Sequence, residues 1–390
     1  MEVMARMPVK TLLRFRCVCK TWCSLIDSSP LTLMHIKLYN NNSYWFAIAT
    51  QRRSRRSNLL NKSSLLNVDD DRIIPYSIVG KSNDYKYKIW GSCNGLILIS
   101  DKIGLGTLRL WNPFIKKELL LPPFLSNNTK CMFDMFFMGF SPCTNDYKVV
   151  AFRMLDDFIN ANEFTIWIYS LNDRHWRIIS KSNKMDVHGW KSWNLIILND
   201  IRNNVYFQGA TYWIGCDQYE GMVRETYLFW YDFDVEEFSF VKVPESKNQI
   251  APIRVVFKLG ESSLALLDVS LQRFCIWVFE KDLGKDPWRL WFSADINLVV
   301  CNEFRMAINS RIFYVCKNNT ILIESWGRRG RRLYSFNLTS HEMQDLGDYP
   351  YGGYVFDTNV ESMVLHKGSN VRRAEFDIRR ITRTLVNNNN

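Results

Sequence analysis

The chain has 390 residues, of which 47% are hydrophobic and 14% aromatic, and this apolar content excludes a wholly disordered protein. Its apolar runs fall short of the roughly 18 residues that a membrane-spanning helix needs, and its N-terminus lacks the apolar segment of a secretory signal. The ten cysteines are therefore expected as reduced thiols of a cytoplasmic and/or nuclear protein, which carries a formal net charge of +11.

The N-terminal segment MPVKTLLRFRCVCKTWCSLI, residues 7–26, is apolar, basic and helix-like. Pro8 suits the first turn of a helix, and Pro30 marks where the helical stretch ends. So short a segment cannot bury its apolar stripe on itself, and each large side chain left in water costs roughly 1.5–3 kcal/mol. The segment therefore either folds back on the rest of the chain or presents a helix to a partner's groove. On a helical wheel, the stripe consists of Leu12, Phe15, Val18, Cys19, Trp22, Leu25 and Ile26.

Two further segments are polar or basic. Residues 39–84 contain runs of asparagine, arginine and aspartate and predict a polar linker, with one candidate strand at residues 44–49. Residues 367–390 are basic, end in four asparagines, and predict a disordered tail.

Between these segments, residues 85–366 repeat a loose unit of short strands. Each unit has an apolar strand, a second strand ending in an aromatic residue, a turn and a third strand, at an interval near the roughly 50 residues of kelch-type repeats. Five units can be recognised, and either residues 44–49 or residues 360–366 are expected to contribute to a sixth. In most units the turn carries Asn or Asp: Asn112, Asn172, Asp232 and Asn337.

A single unit cannot cover both of its faces, so several must stack radially with large aromatic side chains between neighbouring sheets. The predicted fold is therefore mainly β: a kelch-like β-propeller of five or six blades, preceded by a small helical unit. The expected aromatic residues between sheets are Trp111, Trp167, Trp176, Trp230 and Trp277.

These motifs carry a family resemblance. The stretch PVKTLLRFRCVCKTWCSLIDSSP resembles the second and third helices of an F-box, the module that docks substrate receptors on the Skp-type adaptor of SCF ubiquitin ligases. The stretches GSCNGLILISD, LWNP, LPP, GFSPCTNDYKVVAF, IYSLNDRHWRII and VYFQGATYWI, in this order, resemble the plant F-box-associated domain. The S-locus F-box-like proteins, whose targets are basic pistil ribonucleases, are one branch of that family. A net charge of +11 disfavours such a target.

The resemblance implies that residues 1–38 form an F-box whose first helix is incomplete, and that residues 85–366 form the associated propeller. The F-box would bind the Skp-type adaptor and, through it, a cullin, while propeller loops hold a target protein for ubiquitination. Carried over by position, the adaptor-binding residues are Pro8, Val9, Leu12, Leu13, Val18, Cys19, Trp22, Leu25 and Ile26. The basic cluster Arg328, Arg329, Arg331 and Arg332 is a candidate surface for an acidic target, although a solvated hairpin tip is the more usual explanation for such a cluster.

No catalytic, cofactor or metal site is predicted. The five histidines lie outside any nucleophile or metal-protease motif, and the spacing of Cys17, Cys19 and Cys23 is not typical of zinc sites. The alternative to a ubiquitin-ligase receptor is a basic β-propeller that binds nucleic acid or a glycan. Nucleic acid is disfavoured because the aromatic residues lie in strands and are not interleaved with the arginine clusters.

Overall fold

The computed structural model describes residues 1–39, 44–50, 63–69, 72–80, 88–100, 107–123, 131–155, 164–182, 204–219, 222–245, 253–260, 262–269, 273–281, 284, 286–295, 311–315, 320–327, 330–340, 342–348, 352–359, 362–365, 370–373 and 376–380. In these ranges a small helical unit precedes a set of antiparallel sheets.

The helical unit comprises α1 (Glu2–Ala5), α2 (Val9–Phe15), α3 (Lys20–Ile26) and α4 (Ser29–Tyr39). The continuous apolar stripe predicted from the sequence is interrupted, because the chain leaves the helix between α2 and α3. Cys19 has an extended backbone there, and its Sγ accepts a hydrogen bond from the Trp22 amide at 3.4 Å, which caps α3. The prediction that Pro30 ends the helical stretch is wrong. Pro30 lies in the first turn of α4, where a missing N–H is tolerated.

The strands follow in chain order. Blade 1 begins with β1 (Tyr44–Thr50), β2 (Ser63–Asp69) and β3 (Arg72–Gly80). Blade 2 contains β4 (Lys88–Cys93), β5 (Leu96–Ser100), β6 (Leu108–Asn112) and β7 (Lys117–Leu120). Blade 3 contains β8 (Cys131–Ser141), β9 (Asp146–Leu155), β10 (Phe164–Ser170) and β11 (Trp176–Ser182). Blade 4 contains β12 (Val205–Phe207), β13 (Ala210–Tyr219), β14 (Met222–Asp232) and β15 (Glu237–Lys242).

Two more blades and three returning strands complete the sequence of elements. Blade 5 contains β16 (Ile253–Leu259), β17 (Ser263–Val269), β18 (Arg273–Phe279) and β19 (Trp288–Asp295). Blade 6 contains β20 (Arg311–Val315), β21 (Thr320–Gly327), β22 (Gly330–Asn337) and β23 (Met343–Asp348). The chain then returns to the first two blades through β24 (Gly352–Asn359), β25 (Val371–Arg373) and β26 (Phe376–Arg380).

The sheets are arranged as propeller blades. Their strand orders are β24-β1-β2-β3-β26 in blade 1, β25-β7-β6-β5-β4 in blade 2, and consecutive four-stranded meanders in blades 3 to 6. Neighbouring sheets meet along their inner strands or the strand next to them: β24 contacts β4, β4 contacts β8, β8 contacts β13, and β16 contacts both β13 and β20. The prediction of a mainly β, kelch-like propeller is confirmed, and the described residues form six blades.

Both segments that the sequence assigns to a linker and a tail contribute strands. Residues 44–80 supply β1, β2 and β3, of which β1 pairs with β24 and β3 pairs with β26. Residues 371–373 form β25 on the outer edge of blade 2, where they pair with β7. Strands β1, β3 and β25 each pair with a strand hundreds of residues away in the chain, and the polarity of a local segment does not reveal such a pairing. Residues 381–390 of the predicted tail lie outside the described residues.

The predicted Asn and Asp turns are confirmed, and those of blades 2, 4 and 6 share one geometry. In blades 2, 4 and 6 the last residue of the third strand accepts two backbone N–H groups from the residues two and three positions ahead. Asn112 accepts from Phe114 and Ile115, at 3.0 and 3.4 Å, and Asp232 and Asn337 act in the same way. In blade 3, where the sequence predicts Asn172 as the turn residue, Asp146 instead accepts the Asn172 amide at 2.9 Å. In each of these short turns, a side-chain oxygen accepts backbone amides of the turn and so stabilises it.

Tryptophan side chains connect neighbouring blades, as the sequence predicts. Trp111 is buried, while Trp167 and Trp176 pack against the core of blades 2 to 4, and Trp230 and Trp277 pack against the core of blades 4 and 5. Two indoles at the start of outer strands also donate hydrogen bonds to the preceding blade. The Trp176 indole donates to the Pro122 carbonyl at 2.7 Å, and the Trp288 indole donates to the Lys242 carbonyl at 2.9 Å. Burial and hydrogen bonding of these tryptophans therefore help to hold blades 2 to 5 together.

Blades 3 and 4 are also joined by a charged network around Glu236. The Lys148 ammonium, from β9, donates to the Phe233 carbonyl and to Glu236, each at 2.9 Å, and Arg177, from β11, also binds Glu236. Burial by itself raises the pKa of Glu236, but the hydrogen bonds from Arg177 and Lys148 outweigh it, so the pKa lies below its usual value of 4.5.

Because the folded-state pKa of Glu236 is depressed, its carboxylate contributes stability above the unfolded-state pKa, and that stability is lost as the pH falls through the folded-state pKa. We expect Glu236→Gln to lower the free energy of unfolding by about 1 kcal/mol at neutral pH. Below pH 4.5 the difference from wild type should shrink. Denaturant unfolding across this pH range checks the prediction, with the exposed Glu237→Gln as control. A difference that does not change with pH would contradict it.

Candidate protein-interaction site

The structure divides the nine predicted adaptor-binding residues into a buried half and an exposed half. Val9, Leu12 and Ile26 are buried, and Leu13 and Leu25 are partly buried against them. The remaining four reach the surface: Pro8 and Cys19 are exposed, Val18 is 61% exposed, and Trp22 is partly exposed. The buried residues hold the helical unit together, and the exposed residues are available to a partner.

The core of the helical unit includes a residue from the far end of the chain. Met363 is fully buried in one cluster with Ala5, Val9, Leu12, Ile26 and Leu31, and Ile115 from the β6–β7 turn packs against the same cluster. The apolar stripe of the N-terminal segment is therefore covered in part by the propeller. The first alternative raised by the sequence, that the segment folds back on the chain, holds for one side of the stripe, while Val18 on the connection between α2 and α3 remains exposed.

An ion pair fixes α2 against α3. The Arg16 guanidinium, just after α2, donates two hydrogen bonds to the Asp27 carboxylate, just after α3, at 2.7 and 3.2 Å. Phe15 and Trp22 pack edge to face, with their ring centroids 5.2 Å apart. These contacts set the angle of the two helices around the exposed connection that carries Val18 and Cys19.

The exposed surface of α2, α3 and their connection is basic. Lys10, Arg14 and Lys20 are exposed there, and residues 8–26 contain no Asp or Glu. An exposed apolar side chain, Val18, on a segment that also exposes these three cations suits a partner surface that combines apolar and acidic groups. We name this surface, comprising Pro8, Lys10, Arg14, Val18, Cys19, Lys20 and Trp22, the docking face.

Two residues of the basic cluster predicted to bind a target, Arg331 and Arg332, lie in β22 at the end of the propeller opposite the helical unit. In a meander the connections alternate between the two ends, and the first strands of all blades run in one direction. The β6–β7 turn, which contacts the helical unit through Ile115, therefore marks the helix end, and β22 begins at the opposite end. Arg331 and Arg332 lie at the start of β22, opposite Trp326 and Ser325 of β21. Arg328 and Arg329 lie outside the described residues.

Sequence reasoning missed the residues that join the helical unit to the propeller. Residues 362–365, here called the strap, run between the two: Met363 enters the helical core, and Leu365 enters the core of blades 2 to 4. The Asn112 side-chain amide donates to the Ser362 carbonyl at 2.8 Å and to the Val364 carbonyl at 2.9 Å. The sequence identifies Asn112 only as a turn residue, because a contact across 250 positions leaves no signal in a local pattern.

Within the described ranges no cluster of three His, Cys, Asp or Glu side chains has a geometry that could hold a metal ion. Over the same residues, no helix has the length and apolar content that a bilayer crossing requires.

Comparison with known proteins yields two domain matches. Residues 1–34 match the F-box domain, and residues 56–344 match the F-box associated beta propeller domain. The second match alone covers well over half of the chain, and it includes strands of all six blades.

Individual relatives have low sequence identity to this chain. An F-box/kelch-repeat protein of Arabidopsis thaliana is 27% identical over 255 residues, which cover 62% of this chain and 64% of that relative. The Arabidopsis thaliana protein SUPPRESSOR OF NIM1 1 is 22% identical over 289 residues, or 73% of this chain and 74% of that relative. Among solved structures, TolB from Acinetobacter baumannii aligns at 9% identity with a TM-score of 0.45, over 84% of this chain and 71% of that chain.

Proposed function

The chain belongs to the F-box proteins that carry an F-box-associated β-propeller, and from that membership we propose that it is the substrate-recognition subunit of an SCF-type ubiquitin ligase. The docking face would bind a Skp-type adaptor and, through it, a cullin. The propeller would hold a target protein in the cytoplasm or nucleus. Catalysis would then fall to other subunits, because tethering raises the effective concentration of the target near the ubiquitin-loaded enzyme.

The observation that carries the proposal is the exposure of Val18 and Trp22 on a helical unit whose opposite side is packed. Val18 is 61% exposed, although it lies between helices that bury Leu12 and Ile26 completely. A large apolar side chain at the centre of a basic surface gains free energy when a partner covers it.

Charge supports the choice of partners. The docking face has no acidic residue between positions 8 and 26, so adaptor binding should weaken as the salt concentration rises. The whole chain carries a net charge of +11, which favours an acidic target over a basic one. We propose that the target binds at the end of the propeller opposite the helices, where Arg331 and Arg332 begin β22.

The experiment uses Val18→Glu with Val235→Glu as its matched control. Val235 is 64% exposed in the β14–β15 turn, so the two variants bring the same change to equally exposed valines on different surfaces. We expect Val18→Glu to weaken capture of a purified Skp-type adaptor by at least about ten-fold, because a carboxylate replaces an apolar centre. Val235→Glu should bind as wild type does. Leu12→Ala is a poor probe of docking, because Leu12 is completely buried and its loss would unfold the helices.

The alternative function, a basic propeller that binds nucleic acid or a glycan, predicts a different outcome. The wild-type chain would then fail to capture the adaptor and would be retained on immobilised polynucleotide or glycan. Retention on polynucleotide would fall steeply with salt concentration. Either that result, or equal adaptor capture by wild type and Val18→Glu, would contradict the proposed docking face.

A further inference from the structure

The strap makes three kinds of contact within four residues. Met363 is buried in the helical core, Leu365 is buried in the propeller core, and the backbone carbonyls of Ser362 and Val364 both accept from Asn112. Ser362 is completely buried, and its hydroxyl accepts the Val364 amide at 3.1 Å. The strap therefore belongs to neither unit alone, and its side chains contact both.

The backbone at the end of the strap is strained. Leu365 has φ of +69°, in the left-handed region that a leucine rarely occupies. Such a conformation persists only where surrounding contacts determine it, and here Leu365 is buried and Asn112 binds the carbonyl of the preceding residue. The contacts of Asn112 thus stabilise a shape that the strap would not adopt by itself.

Asn112 also differs in one respect from the equivalent residues of other blades. Its Oδ1 accepts the two amides of its turn, as the Oδ1 atoms of Asp232 and Asn337 do in theirs. Its side-chain amide group makes the two additional bonds to the strap. Asp232 shows that the turn itself needs only an oxygen acceptor, so the amide group of Asn112 serves the strap.

We propose that Asn112 and the strap are the positioning residues of the docking face: they hold the helical unit in one orientation on the propeller. The direction of the docking face relative to the opposite end of the propeller is then set by blade 2 and the strap. This inference rests on the proposed function for its role in ubiquitin transfer, but the orientation itself is measurable without an adaptor.

Asn112→Asp separates the turn from the strap. An aspartate keeps the oxygen that accepts the turn amides, but it places a carboxylate oxygen against the Ser362 and Val364 carbonyls in place of the donating amide. Asn337→Asp makes the same chemical change in blade 6, in a turn of the same geometry. Amide hydrogen exchange of the helices should become roughly ten-fold faster or more in Asn112→Asp, while the peptides of blades 3 to 5 exchange as in wild type. Asn337→Asp should leave the helices unchanged.

A distance measurement distinguishes positioning from stabilisation. With spin labels introduced at the exposed Ser24 of α3 and Ser262 of blade 5, wild type and Asn337→Asp should give one narrow distance distribution. Asn112→Asp should broaden it. A residue that only stabilises the fold would lower the melting temperature and leave the distribution of the folded chain narrow, which would overturn the inference.

Met363→Ser tests the same contact from the helical side and leaves the β6–β7 turn intact. It should reproduce the faster exchange and the broadened distances. Unfolding of the whole propeller in both variants, with blade peptides exchanging as fast as the helices, would contradict a local role of the strap.

Adaptor capture is measured separately. If wild type captures no adaptor but Asn112→Asp speeds exchange in the helices and broadens the distances, the proposed function is contradicted and the role of the strap is supported. If wild type captures the adaptor and Asn112→Asp changes neither exchange nor distances, the positioning role of Asn112 and the strap is contradicted while the proposed function is supported.

Discussion

Replacing Gly139 with alanine is expected to destabilise the propeller by about 3 kcal/mol or more. Gly139 lies on β8, and a Cβ at this position would come within 2.0 Å of the Phe233 Cε2 atom and 2.4 Å of its Cδ2 atom. The ring cannot move aside, because Phe233 is fully buried and packs edge to face against Tyr231, with ring centroids 5.1 Å apart. The blade 3 strand therefore has to move away from blade 4, or Phe233 has to leave the core.

Two further variants make this prediction specific. Gly260→Ala is the control for backbone conformation, because Gly260 has φ of +68° and no atom of the described residues lies within 4 Å of where its methyl group would be. It should cost only about 1 kcal/mol, from strain alone. Adding Phe233→Leu to Gly139→Ala should restore part of the loss, giving a coupling of roughly 1–3 kcal/mol in a double-mutant cycle measured by denaturant unfolding. Wild-type stability of Gly139→Ala would show that the close approach does not matter.

Glu118→Ala is expected to lower the free energy of unfolding by about 3 kcal/mol. Glu118 lies on β7 and is completely buried. Its carboxylate accepts hydrogen bonds from Arg109 of β6 at 3.2 Å and from Arg372 of β25 at 2.7 Å. The substitution removes the one carboxylate that both guanidinium groups share, and it leaves the buried Arg109 charge less compensated. It should also loosen β25, the strand that the C-terminal region adds to blade 2.

The measurement combines guanidinium chloride unfolding with limited proteolysis between β25 and β26. Glu245→Ala serves as control, because Glu245 is a fully exposed carboxylate that pairs with Lys242, and its loss should change stability little. Glu118→Ala should unfold at a lower denaturant concentration and be cleaved faster in residues 370–380. If both variants unfold at the same midpoint, the buried ion pair does not hold β25.

The repeating part of this fold was predictable because its signals are local. Blades 2 to 6 carry their own apolar strands, and most of them have a turn residue such as Asn112 or Asp232, so these signals depend only on neighbouring positions. Blade 1 was not predictable in the same way. Its strand β1 lies between β2 and β24, and the partner β24 starts about three hundred residues later in the chain. Pairing of that kind depends on how the ring of blades closes, and it cannot be predicted from the polarity of a segment.

The candidate site shows the same division. The apolar pattern of residues 7–26 correctly separates a helical unit from the β domain, but it cannot say which side of the stripe is covered. Val9 and Val18 look alike in sequence, yet Val9 is buried by Met363 and its neighbours while Val18 is exposed. The difference arises because the strap and the β6–β7 turn lie against only one side of the helices.

The position of Met363 in the helical core has a consequence for biosynthesis. A ribosome makes the N-terminal helices first, but the side chain that completes their packing is added only after more than nine-tenths of the chain has been translated. A nascent or prematurely terminated chain therefore exposes the apolar residues that the finished protein covers, and chaperones and proteases recognise such surfaces. Only a full-length product offers correctly packed helices to other proteins in the cell.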